Sequence, residues 1–265
     1  MFSHLASFFL KQRIMENELY HTVLVLGGIA NLSMTLVLLH GNLAYSEYTV
    51  YRRARRLVAL CFAVFAVGFL IHAHFQWRYS WPAAASALSV GYFHIGGVLF
   101  GWSHTSLLNP GYLSRKVVVR DLSILAIGLI CYGLSAFGVL GLGSSVFAVF
   151  FAHALFITYW FYHTYYRVKH RLLEMSLGSI EHFVHWMLLS CHLIIGFGIG
   201  SIVITASLPT LVWPYTVLLS VGILVFVYIF FSLNDFGNFI DSATNATEDV
   251  ERQCEALSLG DRSSQ

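Results

Sequence analysis

Seven apolar stretches dominate this chain, at 22–40, 57–76, 84–108, 121–142, 145–166, 183–207 and 210–233. Between those limits the only Asp, Glu, Lys or Arg is Asp121, at an edge. About 20 apolar residues are what a helix needs to cross the hydrocarbon core of a bilayer. Backbone groups in lipid must be satisfied within their own segment, so runs of this length are read as helices. A barrel would need shorter segments alternating apolar and polar, and "SVFAVFFAHALFITYWFYH" (145–163) has no such period. Composition agrees: 57% of the 265 residues are hydrophobic and 11% charged, too few charges to cover a water-soluble surface. The expectation is an all-α polytopic membrane protein of seven transmembrane helices. Residues 1–20 form an N-terminal segment or interfacial helix, 21–234 the membrane domain, and 235–265 a polar tail that is disordered or a short helix.

The stretch "YRRARRL" (51–57) poses the question of nucleic acid or topology. The first connection holds Arg52, Arg53, Arg55 and Arg56, the third Arg115, Lys116 and Arg120, and the fifth Arg167, Lys169 and Arg171. The even-numbered connections hold only Arg78. Short cytoplasmic loops retain Lys and Arg, which places the odd connections and the C-terminus inside and the N-terminus outside. These ten residues are therefore topology determinants. A net charge of +2 with clustered arginines speaks against direct nucleic-acid binding. The segment "MFSHLASFFLKQR" has its apolar run before its basic residues, unlike a signal peptide. Trp77, Tyr79, Trp81, Trp213 and Tyr215 at outer ends, and Tyr159 to Tyr166 at an inner end, suit the headgroup level. Gly97 and Gly101 form a small-xxx-small pair for close helix packing.

Thirteen histidines are the chemical anomaly, because an ionisable side chain inside a membrane is costly unless it is paired. His72, His74, Trp77, Arg78 and His153 fall toward the outer half, where they are expected to line a ligand-binding mouth between the second, third and fifth spans. Two chemical alternatives, each making the chain a membrane oxidoreductase, stand beside that reading. His94 with His104, and His153 with His163, repeat at ten residues on spans running the same way, a spacing to be weighed for haem b ligation. "EHFVH" puts Glu181, His182 and His185 on neighbouring turns for a divalent metal, and His192 lies near mid-membrane. The bland account is that most histidines bond headgroups, loop carbonyls or neighbouring helices, with no cofactor. A retinal Schiff base is disfavoured because no span contains Lys. Ser190, Cys191 and His192 are sequence neighbours and so point in different directions on a helix. A small-solute transporter is the third reading, although buried carboxylates and mid-span helix breaks are not visible.

The stretches "YRRARRLVALCFAVFAVGFLIHAHFQWR" and "YFHIGGVLFGWSHTSLLNPGYLSRKVVVRD", and the last span running into "YIFFSLNDFGNFID", resemble the seven-helix N-terminal membrane module of bacterial regulators. In that family the module precedes an AraC-type helix-turn-helix domain or a histidine-kinase core. The resemblance covers about residues 20–241. It implies a sensor of the bacterial inner membrane that passes a signal to a cytoplasmic output. Only a short tail follows the last span, with no helix-turn-helix or ATP-binding motif, so the expected output is a cytoplasmic partner or a homodimer. Val250, Cys254 and Leu257 would supply an apolar edge for such a contact. The "NAT" sequon at 245–247 is inert on the cytoplasmic side.

Overall fold

The computed structural model describes the backbone of residues 2–263 except 42, 46, 140–143, 175–177 and 209–210. Side chains are described within 15–171 and 185–240, less 144–146, 206 and 239 and those gaps. Among these residues all regular structure is helical: α1 (Phe2–His40), α2 (Thr49–Phe75), the single turn α3 (Trp77–Ser80), α4 (Pro82–Leu108), α5 (Arg115–Ala136), α6 (Ser144–Glu174), α7 (Gly178–Ser207) and α8 (Val212–Ser263). Six helices are long and apolar enough to cross a bilayer, with spans at Met15–His40, Thr49–Phe75, Pro82–Leu108, Arg115–Ala136, His185–Thr205 and Val212–Asn238. This is the architecture of a multi-pass membrane protein. The helix from the fifth apolar run, α6, is long enough but is not among the six. Its Tyr, Trp and His side chains lower its apolarity.

The connection from α2 to α4 is tight and locally determined. Gln76 has φ 50°, in the left-handed region, and its N–H returns to His72 O, which closes α2 and turns the chain into α3. Pro82 then opens α4 in the first turn, where a missing N–H costs nothing. Short connections leave successive long helices antiparallel, so the Arg-rich connections gather at one end of the bundle, called here the basic end. The first expected segment and the tail are not separate pieces of backbone. Phe2–His40 is one helix, and α8 continues to Ser263, beyond the apolar part that ends at Asn238.

α4 is the central helix. It packs on α2, α5, α6 and α7, and nearly every residue from Ala84 to Ser106 is buried. Around it α1, α2 and α8 form one tightly packed group. An aromatic layer joins them, with Phe65 and Phe226 rings 4.6 Å apart and Phe93 and Phe197 rings 5.2 Å apart. Apolar side chains remain exposed along the outer faces, among them Leu26, Leu36, Ile127, Ile130, Leu155 and Leu224. In water such stripes would be a liability; in a bilayer they are the surface that lipid covers.

Candidate functional site

The site begins with Asp121, which is completely buried. The sequence placed it at the edge of an apolar run, but α5 starts at Arg115, so Asp121 lies nearly two turns inside the helix. Its Oδ2 accepts from Trp102 Nε1 of α4 at 2.7 Å, and its Oδ1 accepts from Arg120 Nε at 2.7 Å. The Arg120 guanidinium also lies over the Phe156 ring of α6, 4.4 Å from its centroid. Asp121 is thus a carboxylate with two firm donors and room for a third.

The third group is His153 of α6, whose Nε2 lies 3.5 Å from Asp121 Oδ1. On its other side, His153 Nδ1 lies 2.8 Å from His94 Nε2, and His94 Nδ1 lies 2.9 Å from the Tyr132 hydroxyl of α5. Asp121, His153, His94 and Tyr132 are all 2% exposed or less. His153 Nε2 has no hydrogen-bond partner at that distance, but a carboxylate can only accept, so the tautomer with the hydrogen on Nε2 is the one that Asp121 favours. His153 Nδ1 then accepts from His94 Nε2–H, and His94 Nδ1 accepts from Tyr132 O–H. In that tautomer the hydrogens of the row Tyr132, His94, His153 and Asp121 all point the same way, toward the basic end. Tyr132 and Asp121 are about 16 Å apart along α5 by helical rise. Gly128 makes the row feasible: a Cβ there would fall 2.9 Å from His94 Nδ1.

Of the residues expected at a ligand mouth, His153 meets His94 and Asp121. Its helix turns it toward α4 and α5, where His94 is its partner. The remaining outer residues divide. His72 and Arg78 are buried and share Ser89, which donates to Ala85 O at 2.8 Å. Ser89 Oγ therefore accepts from Arg78 Nη2 and from His72 Nε2, each at 3.1 Å. Arg78 Nη1 also donates to Ser86 at 2.9 Å, and the guanidinium covers Tyr215 of α8 at 3.8 Å. Arg78 thereby ties α3 to α4 and α8. His74 is exposed, and Trp77 is half-buried and stacked on Phe75.

Of the metal and haem candidates, His94 has both ring nitrogens hydrogen-bonded, which leaves neither free to ligate in this arrangement. His163 is exposed and sits 2.6 Å from Arg167. His192 is exposed with Nδ1 at Leu188 O, 2.8 Å, and His185 is exposed. His104 is buried on α4. The side chains of Glu181 and His182 lie outside the described residues. No group of three or more His, Cys, Asp or Glu at metal-holding distance occurs among the described residues.

The basic residues are not equivalent. Arg53, Arg56, Arg115, Lys116, Arg167 and Arg171 are exposed, and Arg52, Arg120 and Lys169 are half-buried. Arg55 is 2% exposed and donates to Asn234 Oδ1 of α8 at 2.7 Å and to the Tyr51 hydroxyl at 3.2 Å. Its Nη2 reaches Leu38 O of α1 at 3.4 Å. Its position was readable, since Tyr51, Arg55, Val58 and Phe62 fall on one helical face. Tyr132 and Trp102 carried no such signal, because aromatic residues are common throughout the spans. Comparison with protein-family models, curated proteins and solved structures finds no match, so the geometry of these residues carries the functional argument alone.

Proposed function

We propose that this chain is a membrane-embedded sensor module in which the row Tyr132, His94, His153 and Asp121 is the element with two states. In this reading α6 is the seventh span and the basic end faces the cytoplasm of a bacterial inner membrane. A stimulus on the outer side then changes which atoms of the row hold the hydrogens. The observation that carries the reading is the buried His94–His153 hydrogen bond, anchored at one end by the Arg120–Asp121 pair. Buried histidine and carboxylate chains in membranes are typical of proton-coupled and switching proteins. Two imidazoles in contact have two hydrogen arrangements, and reversing one reverses the other; Asp121 favours the arrangement with the hydrogen on His153 Nε2. The row links α4, α5 and α6, so either arrangement biases how these helices pack. A cytoplasmic partner or a second copy of the chain would read that change at the basic end.

The test follows helix movement, which needs no knowledge of the partner. A fluorophore sensitive to its environment is attached at Tyr166→Cys, an exposed position near the basic end of α6, in a Cys131→Ser, Cys254→Ser background in nanodiscs. The expected result is an emission change between pH 8 and pH 5 that disappears in His94→Gln and His153→Gln. The same change persisting in both variants would remove the row from the mechanism.

The directional row favours one second reading, a proton-coupled transporter. Acidification of dye-loaded proteoliposomes under a potential, lost in His153→Gln, would support transport over sensing.

A further inference from the structure

One buried group has no part in the row. His104 is 1% exposed on α4, with its ring stacked on Phe100 and Trp186 of α7 edge-on at 5.3 Å. Its Nδ1 lies 3.2 Å from Phe100 O. A carbonyl only accepts, so Nδ1 carries the hydrogen and Nε2 presents a bare lone pair. That lone pair is buried and has no hydrogen-bond partner. His104 borders a cavity of about 160 Å³ between α4, α6 and α7. The cavity wall also includes His94, about 15 Å away along α4 by helical rise, whose nitrogens are already engaged.

The cavity exists because two glycines face it. A Cβ at Gly97 or at Gly198 would meet nothing within 4 Å. The other member of the small-residue pair behaves differently, since Gly101 takes the Ile157 side chain of α6 in contact. Phe93, Phe100, Phe150 and Phe197 are among the lining side chains. Leu155 and Ile199 also line it and are 66% and 48% exposed on the outside of the bundle, so the cavity adjoins lipid.

We propose that this cavity binds a lipophilic phenol, with the ring among the phenylalanines and the hydroxyl donating to His104 Nε2. Three observations choose the class. An apolar cavity of about 150 Å³ holds one six-membered ring. Aromatic walls favour a ring through edge and offset contacts. The unpaired lone pair demands a donor, which excludes ketones, ethers and carboxylates, and a phenol O–H is a stronger donor than an aniline or indole N–H. Entry is lateral, from the bilayer, past Leu155 and Ile199. The site stands independently of the sensor reading, because it uses no residue of the row as a ligand partner.

The experiment measures 4-fluorophenol and 4-fluorotoluene by fluorine NMR on the protein in nanodiscs, referenced to empty nanodiscs. The two probes differ only by hydroxyl against methyl. The expected result is saturable binding of both, with the phenol favoured about tenfold. His104→Phe should remove that preference while 4-fluorotoluene still binds, which also shows that the cavity has survived. Gly97→Leu should abolish binding of both probes with helical content unchanged, and Gly198→Leu should do the same from the opposite wall. Equal affinities in the unaltered protein, a phenol preference that survives His104→Phe, binding indifferent to Gly97→Leu, or no saturable binding of either probe would each overturn the proposal.

Discussion

At the scale of single residues, the polar groups with the most partners are the ones whose removal costs most. Asp121 accepts from Trp102 and Arg120 and faces His153, so Asp121→Ala strands three groups in an apolar interior. The expected loss is about 3 kcal/mol, measured as the midpoint shift of unfolding in mixed micelles. Arg55→Ala should cost about 2 kcal/mol by the same measurement, whereas exposed Arg53→Ala should change stability by less than about 0.5 kcal/mol. Tyr112, in the connection before α5, is buried beside Arg120 and Asp121. Burial, and then the Asp121 charge, push its pKa above the usual 10.0. Above pH 10 the unfolded chain releases this proton more readily than the folded one, so stability is complete below that pH and falls as pH rises further. Tyr112→Phe should therefore flatten the alkaline limb of the stability curve. The sequence displayed Asp121 as the single acid in the runs but not its depth, because a helix start is set by the preceding connection and not by apolarity.

At the scale of helices, two glycines of similar appearance in sequence should respond in opposite ways. Gly128→Val drives a branched side chain into the His94 ring, which Tyr132 and His153 hold in place, and should cost about 2 kcal/mol. Gly97→Ala adds a methyl to open space and gains helix propensity, so it should stabilise by up to about 1 kcal/mol. Thermal unfolding followed by circular dichroism distinguishes the two signs. Apolar length made the helices legible, since α4, α7 and the apolar part of α8 follow the expected runs closely, while α2 and α5 begin well ahead of theirs. Their facing surfaces were much less legible. In α4 apolar and polar residues alike are spread around the whole circumference, so its periodicity names no preferred face. Helix pairing in lipid is decided instead by small residues and polar pairs. That is why the contact between His94 and His153 lay hidden while both residues were conspicuous.

At the scale of the whole molecule, the connections at the two ends differ in charge, and orientation is the testable consequence. Leu43 is 79% exposed at the basic end and Val139 is 69% exposed at the other. In intact cells a membrane-impermeant maleimide should label Val139→Cys above the parent background and leave Leu43→Cys unlabelled until the cells are permeabilised. The reverse pattern would invert the proposed topology.

Two guanidiniums hold neighbouring parts of the chain at opposite ends of the bundle. Arg55, near the start of α2, is bonded to α1 and α8, while Arg78, just past its end, is bonded to α4 and covers Tyr215 of α8. A helix fastened at both ends cannot slide along its own axis without releasing both fastenings together. A piston stroke of α2 would therefore break ties to α1, α4 and α8 at once, which makes these four helices one block.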